Sequence, residues 1–464
     1  MTSSRTDPEP PISTSDIKRV VAVLSRDDVR VALLHATSVP MPLESLVGLP
    51  LPAGLTREQT ADLITALERF AATYSPIPDS EGRLHWFVHT GRIRRSLSTL
   101  DQHCTTHSRL YERVTSRSGA RFVVQSNVEE TVATAQLDEV SISYETAKEL
   151  LLMQRQPRTV EERLIVNHYR LSEELKGLVE RPWSPELLIE LYGRLTHGIP
   201  PRLSHGDRID ERSRQAAHIR DLCTYAESLR DDTSTHPALS ASIIRAVTTH
   251  LDLFPAWNGM MSRILFRFAA LKLGYPVLGY LPVSHSELML RRVLPDGLPV
   301  LHAEPPLLGM WHEMNSTPWL DTQLTLMVHA LRQLSARMNR AARIDEAVQL
   351  ELHADETLNH RQRSIIGRAL RVPDATFRIG YHRTTHGIGY ATAHRDFAEL
   401  VQKGYLEEET EGRMKVFRAG PSLEERIGAL DDIGSVEEYE IPLPPEFTSG
   451  GIAEQQALPD ESRI

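Results

Sequence analysis

The segment Asp252–Arg263, which reads DLFPAWNGMMSR, carries residue types suited to binding an anion. Asn258 and Gly259 stand directly before an apolar stretch, where a helix would begin. The first N–H groups of a helix have no partner within it and its dipole is positive there, so such an end attracts anions. Arg263, about one turn further on, adds a guanidinium fork that fits a phosphate. The alternative is that Asn258 only caps the helix and Arg263 is a solvated charge.

The element that must position these residues is a helix that continues to about Leu273. Four apolar residues recur at helical spacing, namely Ile264, Leu265, Phe268 and Leu271. Gly274 and Pro276 then provide the usual stop signals. We therefore predict a buried amphipathic helix whose first turn faces a binding site.

This segment resembles the signature of the Fic (Fido) family, HxFx(D/E)GNGRxxR. The matching positions are Phe254, Asn258, Gly259 and Arg263. Four positions differ from the family's His, acidic residue, first Gly and first Arg, namely Asp252, Ala256, Trp257 and Met260. The flanks also resemble the family, in the runs HPALSASIIRAV, LKLGYP and STPWLDTQL.

The resemblance implies transfer of a nucleoside monophosphate, usually AMP from ATP with magnesium, onto a protein hydroxyl. In the family the His is the general base and the acidic residue holds the metal. Asn258, Gly259 and Arg263 would bind the nucleotide, Asp252 is the one candidate catalytic residue, and no metal ligands are predicted. Loss of a general base costs about 100- to 10,000-fold in rate. We expect weak or no nucleotidyl transfer; the alternative is a protein adenylyltransferase, or a related transferase, that uses Asp252.

Residues 125–140, QSNVEETVATAQLDEV, resemble the inhibitory helix that many Fic proteins carry. Glu129 falls on the family's inhibitory Glu, which pairs with the second Arg of the signature. The resemblance therefore predicts an ion pair between Glu129 and Arg263. The alternative is that Glu129 is one of several solvated acids on a surface helix.

Residues 358–420 have the pattern of a winged helix-turn-helix. Three helices are followed by two extended runs that flank Glu411-Gly412, which is typical of a hairpin. It resembles the winged helix attached to many bacterial Fic proteins. The predicted DNA contacts are Thr392, His394, Arg395, Arg413 and Lys415. Because such modules also bind proteins, and acids crowd residues 407–411, a protein contact is the alternative.

The predicted fold class is mainly α. The predicted domains are a disordered leader (1–14), an N-terminal helical module that is either a winged helix or a helical extension (15–90), a Fic-like domain (91–340), a linker (341–357), the winged helix-turn-helix (358–420) and an acidic disordered tail (421–464). Residues 199–213 lack the alternating runs of a hairpin, so target docking by strand addition is not predicted. Residues 281–310 are rich in proline and are predicted to be irregular.

Composition narrows the functional classes. The chain has 464 residues, a net charge of -10 and two cysteines. The negative charge argues against non-specific coating of nucleic acid, and two cysteines fit a reducing cytoplasm. No signal or membrane segment is predicted. We predict a cytoplasmic regulator that binds DNA; a protein target, an antitoxin partner, a homodimer and a purely protein-binding scaffold are further possibilities.

Overall fold

The computed structural model describes residues 21–23, 25–29, 54, 56–78, 82–204, 214–232, 234–293, 314–354, 357–371, 375–411, 414–421 and 423. The chain divides into two compact units. The first comprises residues 1–331 and 443–464, and the second comprises residues 332–442. Both are mainly helical, as predicted from the sequence.

After residues 21–23 and 27–29, which are helical, the described part of the first unit continues with a helix and a short hairpin. Helix α1 (Arg57–Phe70) leads into strands β1 (Thr73–Tyr74) and β2 (Trp86–Phe87), which pair antiparallel. Trp86 also exchanges backbone hydrogen bonds with Met314 and Ser316, which joins this hairpin to the start of a later helix.

The helices that follow in the described residues of this unit are α2 (Gly91–Cys104), α3 (Arg109–Thr115), α4 (Ala120–Leu137), α5 (Tyr144–Leu152), α6 (Val160–Glu174), α7 (Pro185–Leu195), α8 (Pro201–Ser204), α9 (Arg214–Ser228), α10 (Pro237–His250), α11 (Asn258–Lys272) and α12 (Val283–Val293). Side-chain caps begin several of them: Ser184, for example, accepts from the N–H of Leu187, and Pro185 follows at the first helical position. Short 3-10 helices lie at Leu175–Leu178 and Leu278–Tyr280.

Helices α10 and α11 form the central pair, and the sequence predicted α11 well. It begins at Asn258, and Gly274, with a φ of 81°, follows its end. Only glycine adopts such a conformation without strain, which explains the stop signal. The helix is buried on most sides, since Ile264, Leu265 and Phe268 are fully inaccessible to solvent.

Two segments that follow this helix pair contain more helix than predicted. Residues 281–310 were expected to be irregular, but Val283–Val293 is helical, because the prolines lie at its edges and the run between them has helix formers. Helix α13 (Thr317–Ala354) extends past the expected linker start, since residues 339–354 contain no Gly or Pro. Residues 1–20 lie outside the described residues. So do residues 205–213, which belong to the segment 199–213 in which no hairpin is predicted.

The second unit contains three helices followed by a hairpin. These are α14 (His360–Arg371), α15 (Ile379–His386), α16 (Tyr390–Gln402), and strands β3 (Leu406–Glu411) and β4 (Met414–Ala419), paired antiparallel. Phe377 bridges to Phe417 and adds a third backbone segment beside β4. Three helices followed by a hairpin is the predicted order of elements, whereas the winged helix-turn-helix itself stays a prediction. Among the described residues, no helix is long and apolar enough to cross a membrane.

Candidate functional site

The loop that precedes α11 is held in an unusual backbone conformation. Asp252 and Trp257 have φ angles of 45° and 50°, which are costly for residues with a Cβ. Asn258 holds this loop in place. Its Oδ1 accepts from the N–H of Phe254 at 3.1 Å, and its Nδ2 donates to the carbonyl of Thr248 at 3.0 Å. The Asn258 side chain, predicted to bind an anion, is therefore engaged with the loop and the end of α10.

The anion position at the start of α11 is taken by a carboxylate of this chain. The N–H of Met260 donates to Asp138 Oδ2 at 2.7 Å, and Arg263 Nη1 donates to Asp138 Oδ1 at 2.7 Å. A Cβ on Gly259 would lie 2.2 Å from Asp138 Oδ1, so only glycine permits this approach. Asp138 thus occupies the helix N-terminus and Arg263, the groups that the sequence predicted to bind an anion.

Asp138 directly follows helix α4, and the chain reverses there. Its own N–H bonds to carbonyls of the last turn of α4, and Glu139 has a φ of 60°. This turn aims the carboxylate at α11. The side chains of Arg263 and Asp138 are only 11% and 12% exposed, so solvent screens the pair weakly.

The predicted pair between Glu129 and Arg263 is wrong. The ion pair of Arg263 is with Asp138, nine residues after Glu129. Glu129 lies inside α4, is buried, and accepts a hydrogen bond from Gln125 Nε2 at 2.8 Å. Because a residue in mid-helix is held close to the helix axis, the residue at the free end of α4 reaches Arg263 instead. No sequence pattern distinguishes Asp138 from the other acidic residues of this segment.

Further buried charges surround Arg263. Arg245 donates to Glu287 at 2.9 Å and to Gln323 at 2.6 Å. Burial acts to lower the pKa of Arg263, but the negative charges of Asp138 and Glu287 outweigh it and raise the pKa. Buried charges persist when they are paired in this way. The site is therefore a charge-balanced interior rather than an open cationic pocket.

Asp252, the candidate catalytic residue, is exposed at the start of the loop. Its backbone carbonyl accepts from Gln215 Nε2 at 3.0 Å. In the described part of the chain, no hydrogen bond or ion pair joins its carboxylate to Arg263 or Asn258. No group of three or more His, Cys, Asp or Glu residues suited to a metal ion occurs among the described residues.

His168 on α6 lies behind this site and is fully buried. Its Nδ1 lies 3.1 Å from Thr131 Oγ1. Burial, together with the charges of Arg267 and Arg263, lowers the pKa of His168 to about 3. Below a pH of about 6.5 the unfolded chain binds a proton at this residue that the folded chain does not. The free energy of unfolding should therefore fall as the pH drops from about 6.5 towards 3.

We expect this loss to be smaller by up to about 1.4 kcal/mol per pH unit in His168→Gln. Urea unfolding followed by tryptophan fluorescence measures it, since all five tryptophans precede residue 332. The exposed His197 provides a matched control, because His197→Gln should keep the wild-type slope. Equal slopes in wild type and His168→Gln would contradict the assignment.

In the second unit, α16 presents the residues predicted to contact DNA. His394 and Arg395 are exposed and Thr392 is half-buried, while Ala393 and Phe397 face the core. Neither Arg395 nor Arg383 on α15 forms a salt bridge with any residue that the structure describes. Tyr390, at the start of α16, is 59% exposed. The face of α16 that carries His394 and Arg395 is therefore positively charged and exposed to solvent.

The basic side chains of the hairpin β3–β4, in contrast to those of α16, are neutralised by acidic residues. Lys415 Nζ lies 2.5 Å from Glu408 Oε1, and Arg418 Nε lies 2.8 Å from Glu409 Oε2. Both bases are thus paired with acids of the neighbouring strand. Arg413 lies outside the described residues.

Asp396 holds the second unit together from within α16. It accepts two hydrogen bonds from Arg361, at 2.8 and 3.0 Å, one from Asn359 at 2.8 Å, and lies 2.9 Å from His382 Nε2. Burial acts to raise its pKa, but the bonds from Arg361, His382 and Asn359 outweigh it and lower the pKa to about 2. This carboxylate fixes α16 against the two helices before it.

Comparisons with known proteins gave structural similarities only. No family model matches the sequence, and no curated protein matches it. A Fic family protein from Desulfovibrio desulfuricans G20 is similar at 14% identity and a TM-score of 0.44, over 72% of this chain and 97% of that one. A Fic domain containing signaling protein from Bacteroides thetaiotaomicron VPI-5482 is similar at 14% identity and a TM-score of 0.37, over 53% of this chain and 98% of that one. Both carry the family name that the signature segment suggested.

Proposed function

We propose that this chain is a DNA-binding regulator. Its second unit acts as a winged helix-turn-helix, and its first unit is a Fic-like domain whose anion site is closed by Asp138. The observation that supports DNA binding is the exposed face of α16, where Arg395 has no acidic partner among the described residues. A helix of this kind enters the major groove with its first residues at the base edges.

Two groups of residues support the recognition face. Arg395 and Arg383 offer charge to phosphates, while His394 and Tyr390 offer hydrogen bonds and an aromatic surface near the helix start. The hairpin supports binding less, because Glu408 and Glu409 already neutralise Lys415 and Arg418. We infer that α16 supplies most of the affinity.

The first unit does not fit ATP with magnesium. Ala256 stands where the family has its acidic metal ligand, and Asp138 holds the N–H of Met260 and the guanidinium of Arg263. A phosphate brought to that place would meet a carboxylate of the same charge sign. We therefore propose that nucleotidyl transfer is absent or weak.

Replacing Arg395 with alanine is expected to weaken binding to a mixed-sequence 30-base-pair duplex by about 10-fold, equivalent to about 1.4 kcal/mol. The slope of log K against log salt should also become less steep, since a phosphate contact is lost. Fluorescence anisotropy with the full chain measures both quantities.

Lys415→Ala provides the matched control, because Glu408 already neutralises that lysine; we expect less than about a threefold change. Equal losses in the two variants would contradict the assigned face. If the wild-type chain does not bind the duplex even at low salt, the proposal of DNA binding is wrong. Transfer of label from α-labelled ATP to lysate proteins, lost in Asp252→Ala, would instead support the adenylyltransferase alternative.

A further inference from the structure

The net negative charge of this chain is concentrated in residues 424–464, which follow the last described residue. This segment, called the acidic segment below, has two basic residues, Arg426 and Arg463. Its eleven acidic residues are Glu424, Glu425, Asp431, Asp432, Glu437, Glu438, Glu440, Glu446, Glu454, Asp460 and Glu461. It therefore holds -9 of the net charge of -10 of the whole chain.

The residues directly before it have the opposite charge. Between 357 and 423 the sequence has eleven Lys and Arg residues and seven Asp and Glu residues, a net charge of +4. Four of these seven acids lie in β3, at 407–409 and 411, so the three helices are more basic than the unit as a whole. Adjacent segments of opposite charge attract each other at low ionic strength.

A cleft in the second unit combines positive charge with an apolar floor. It has a volume of about 490 Å³ and lies between α14 and α15. Ile365, Phe377 and Phe397 contribute apolar surface, and Arg368 and Arg378 contribute positive charge. Arg368 is exposed and forms no salt bridge with the described residues. Such a cleft suits an extended peptide in which acidic and apolar residues alternate.

Residues 431–440 of the acidic segment, DDIGSVEEYE, have this composition. The five acids are interspersed with Ile433, Val436 and Tyr439. The chain can also reach the cleft. Leu423 is buried in the core of the second unit, and the eight residues from there to Asp431 span up to about 26 Å when extended. Residues 357–423, which form the three helices and the hairpin, have an expected radius of gyration of about 11 Å, so the cleft lies within this reach.

We propose that residues 431–440 dock in the cleft rimmed by Arg368 and Arg378, and that they compete with nucleic acid for the positive charge of the second unit. The tether holds the acidic segment at a millimolar effective concentration, so weak docking suffices. The competition rests on the proposed DNA binding, whereas the docking does not.

The docking is tested with the full chain and a labelled peptide of residues 424–445. In one variant the five acids of residues 431–440 are replaced by their amides (Asp431→Asn, Asp432→Asn, Glu437→Gln, Glu438→Gln and Glu440→Gln). At low salt the peptide should bind this variant at least tenfold more tightly than it binds wild type, in which the cleft is already filled. Adding Arg368→Glu to the variant should lower that affinity at least tenfold, while adding Lys415→Ala should leave it unchanged. Equal peptide affinity for wild type and the variant, or no effect of Arg368→Glu, would overturn the proposal.

The competition is tested with the same 30-base-pair duplex. The five-amide variant should bind it at least fivefold more tightly than wild type. A variant with Glu446, Glu454, Asp460 and Glu461 changed to amides, a similar loss of charge outside the docking residues, should bind about as wild type does. If both changes strengthen binding equally, the effect is one of overall charge and competition by docking is refuted. If no form binds DNA, the proposed function fails, and the peptide experiment still decides whether docking occurs.

Discussion

Replacing Asp138 with alanine is expected to lower the free energy of unfolding of the first unit by about 3 kcal/mol. The change leaves Arg263 as a buried charge without its ion-pair partner and the N–H of Met260 without an acceptor. Removing one partner of a buried pair costs more than the pair contributes, because the remaining charge stays out of water. Urea unfolding followed by tryptophan fluorescence reports this unit specifically, since no tryptophan follows residue 331.

Glu139 provides a control one residue away. It is exposed, so Glu139→Ala should change the free energy of unfolding by less than about 0.5 kcal/mol. Gly259→Ala tests the same contact from the other side, because its Cβ would meet Asp138 Oδ1. It should destabilise the first unit by about 1–3 kcal/mol. An Asp138→Ala protein as stable as wild type would show that the carboxylate does not hold this site.

The second large effect is expected from Asp396→Ala. Four polar contacts to Arg361, Asn359 and His382 disappear together, and the Arg361 guanidinium loses its bidentate partner. We expect a loss of about 3–5 kcal/mol in the stability of the second unit, with DNA binding lost as α16 is released. Hydrogen exchange of peptides from residues 358–420 measures the local stability.

Tryptophan fluorescence should show an unchanged transition for Asp396→Ala, since the first unit keeps its contacts. Glu407→Ala, at an exposed position on β3, is the matched control and should leave the exchange unchanged. The wild-type second unit should also weaken in acid. The pKa of Asp396 is lowered to about 2 in the folded chain, so its contribution is present above a pH of about 4 and is lost towards 2. Hydrogen exchange in Asp396→Ala equal to that of wild type would contradict this role.

The sequence predicted local structure where the signals are local. The end of α11 was predictable because a stop residue such as Gly274 acts within one turn. Asn258 begins the helix but does not cap it, since Trp257 stands at the N-cap position and makes no side-chain capping hydrogen bond. The hairpin around residue 412 was equally predictable, since alternating runs on both sides of Glu-Gly define it. The continuation of α13 to Ala354 was not predicted, because the sequence becomes polar and charged where the linker was expected. Ala, Leu and Glu in these residues still favour a helix.

The contact at Asp138 could not be predicted from such patterns. It joins residues 125 positions apart, and it depends on the positive φ of Glu139, which aims the carboxylate at α11. A resemblance to an inhibitory motif pointed to α4 but selected Glu129, a buried residue within the helix. The resemblance thus identified the correct helix but the wrong acidic residue, because the geometry at the end of α4 decides which carboxylate reaches Arg263.

The most direct test of a closed anion site is equilibrium binding of ATP to the full-length chain, measured by isothermal titration calorimetry for wild type, Asp138→Ala and Glu139→Ala. We expect no saturable binding to wild type or to Glu139→Ala. We expect measurable binding to Asp138→Ala, in which the N–H of Met260 and Arg263 become available. Saturable binding to wild type that Asp138→Ala does not strengthen would contradict the closure of this site by its own carboxylate.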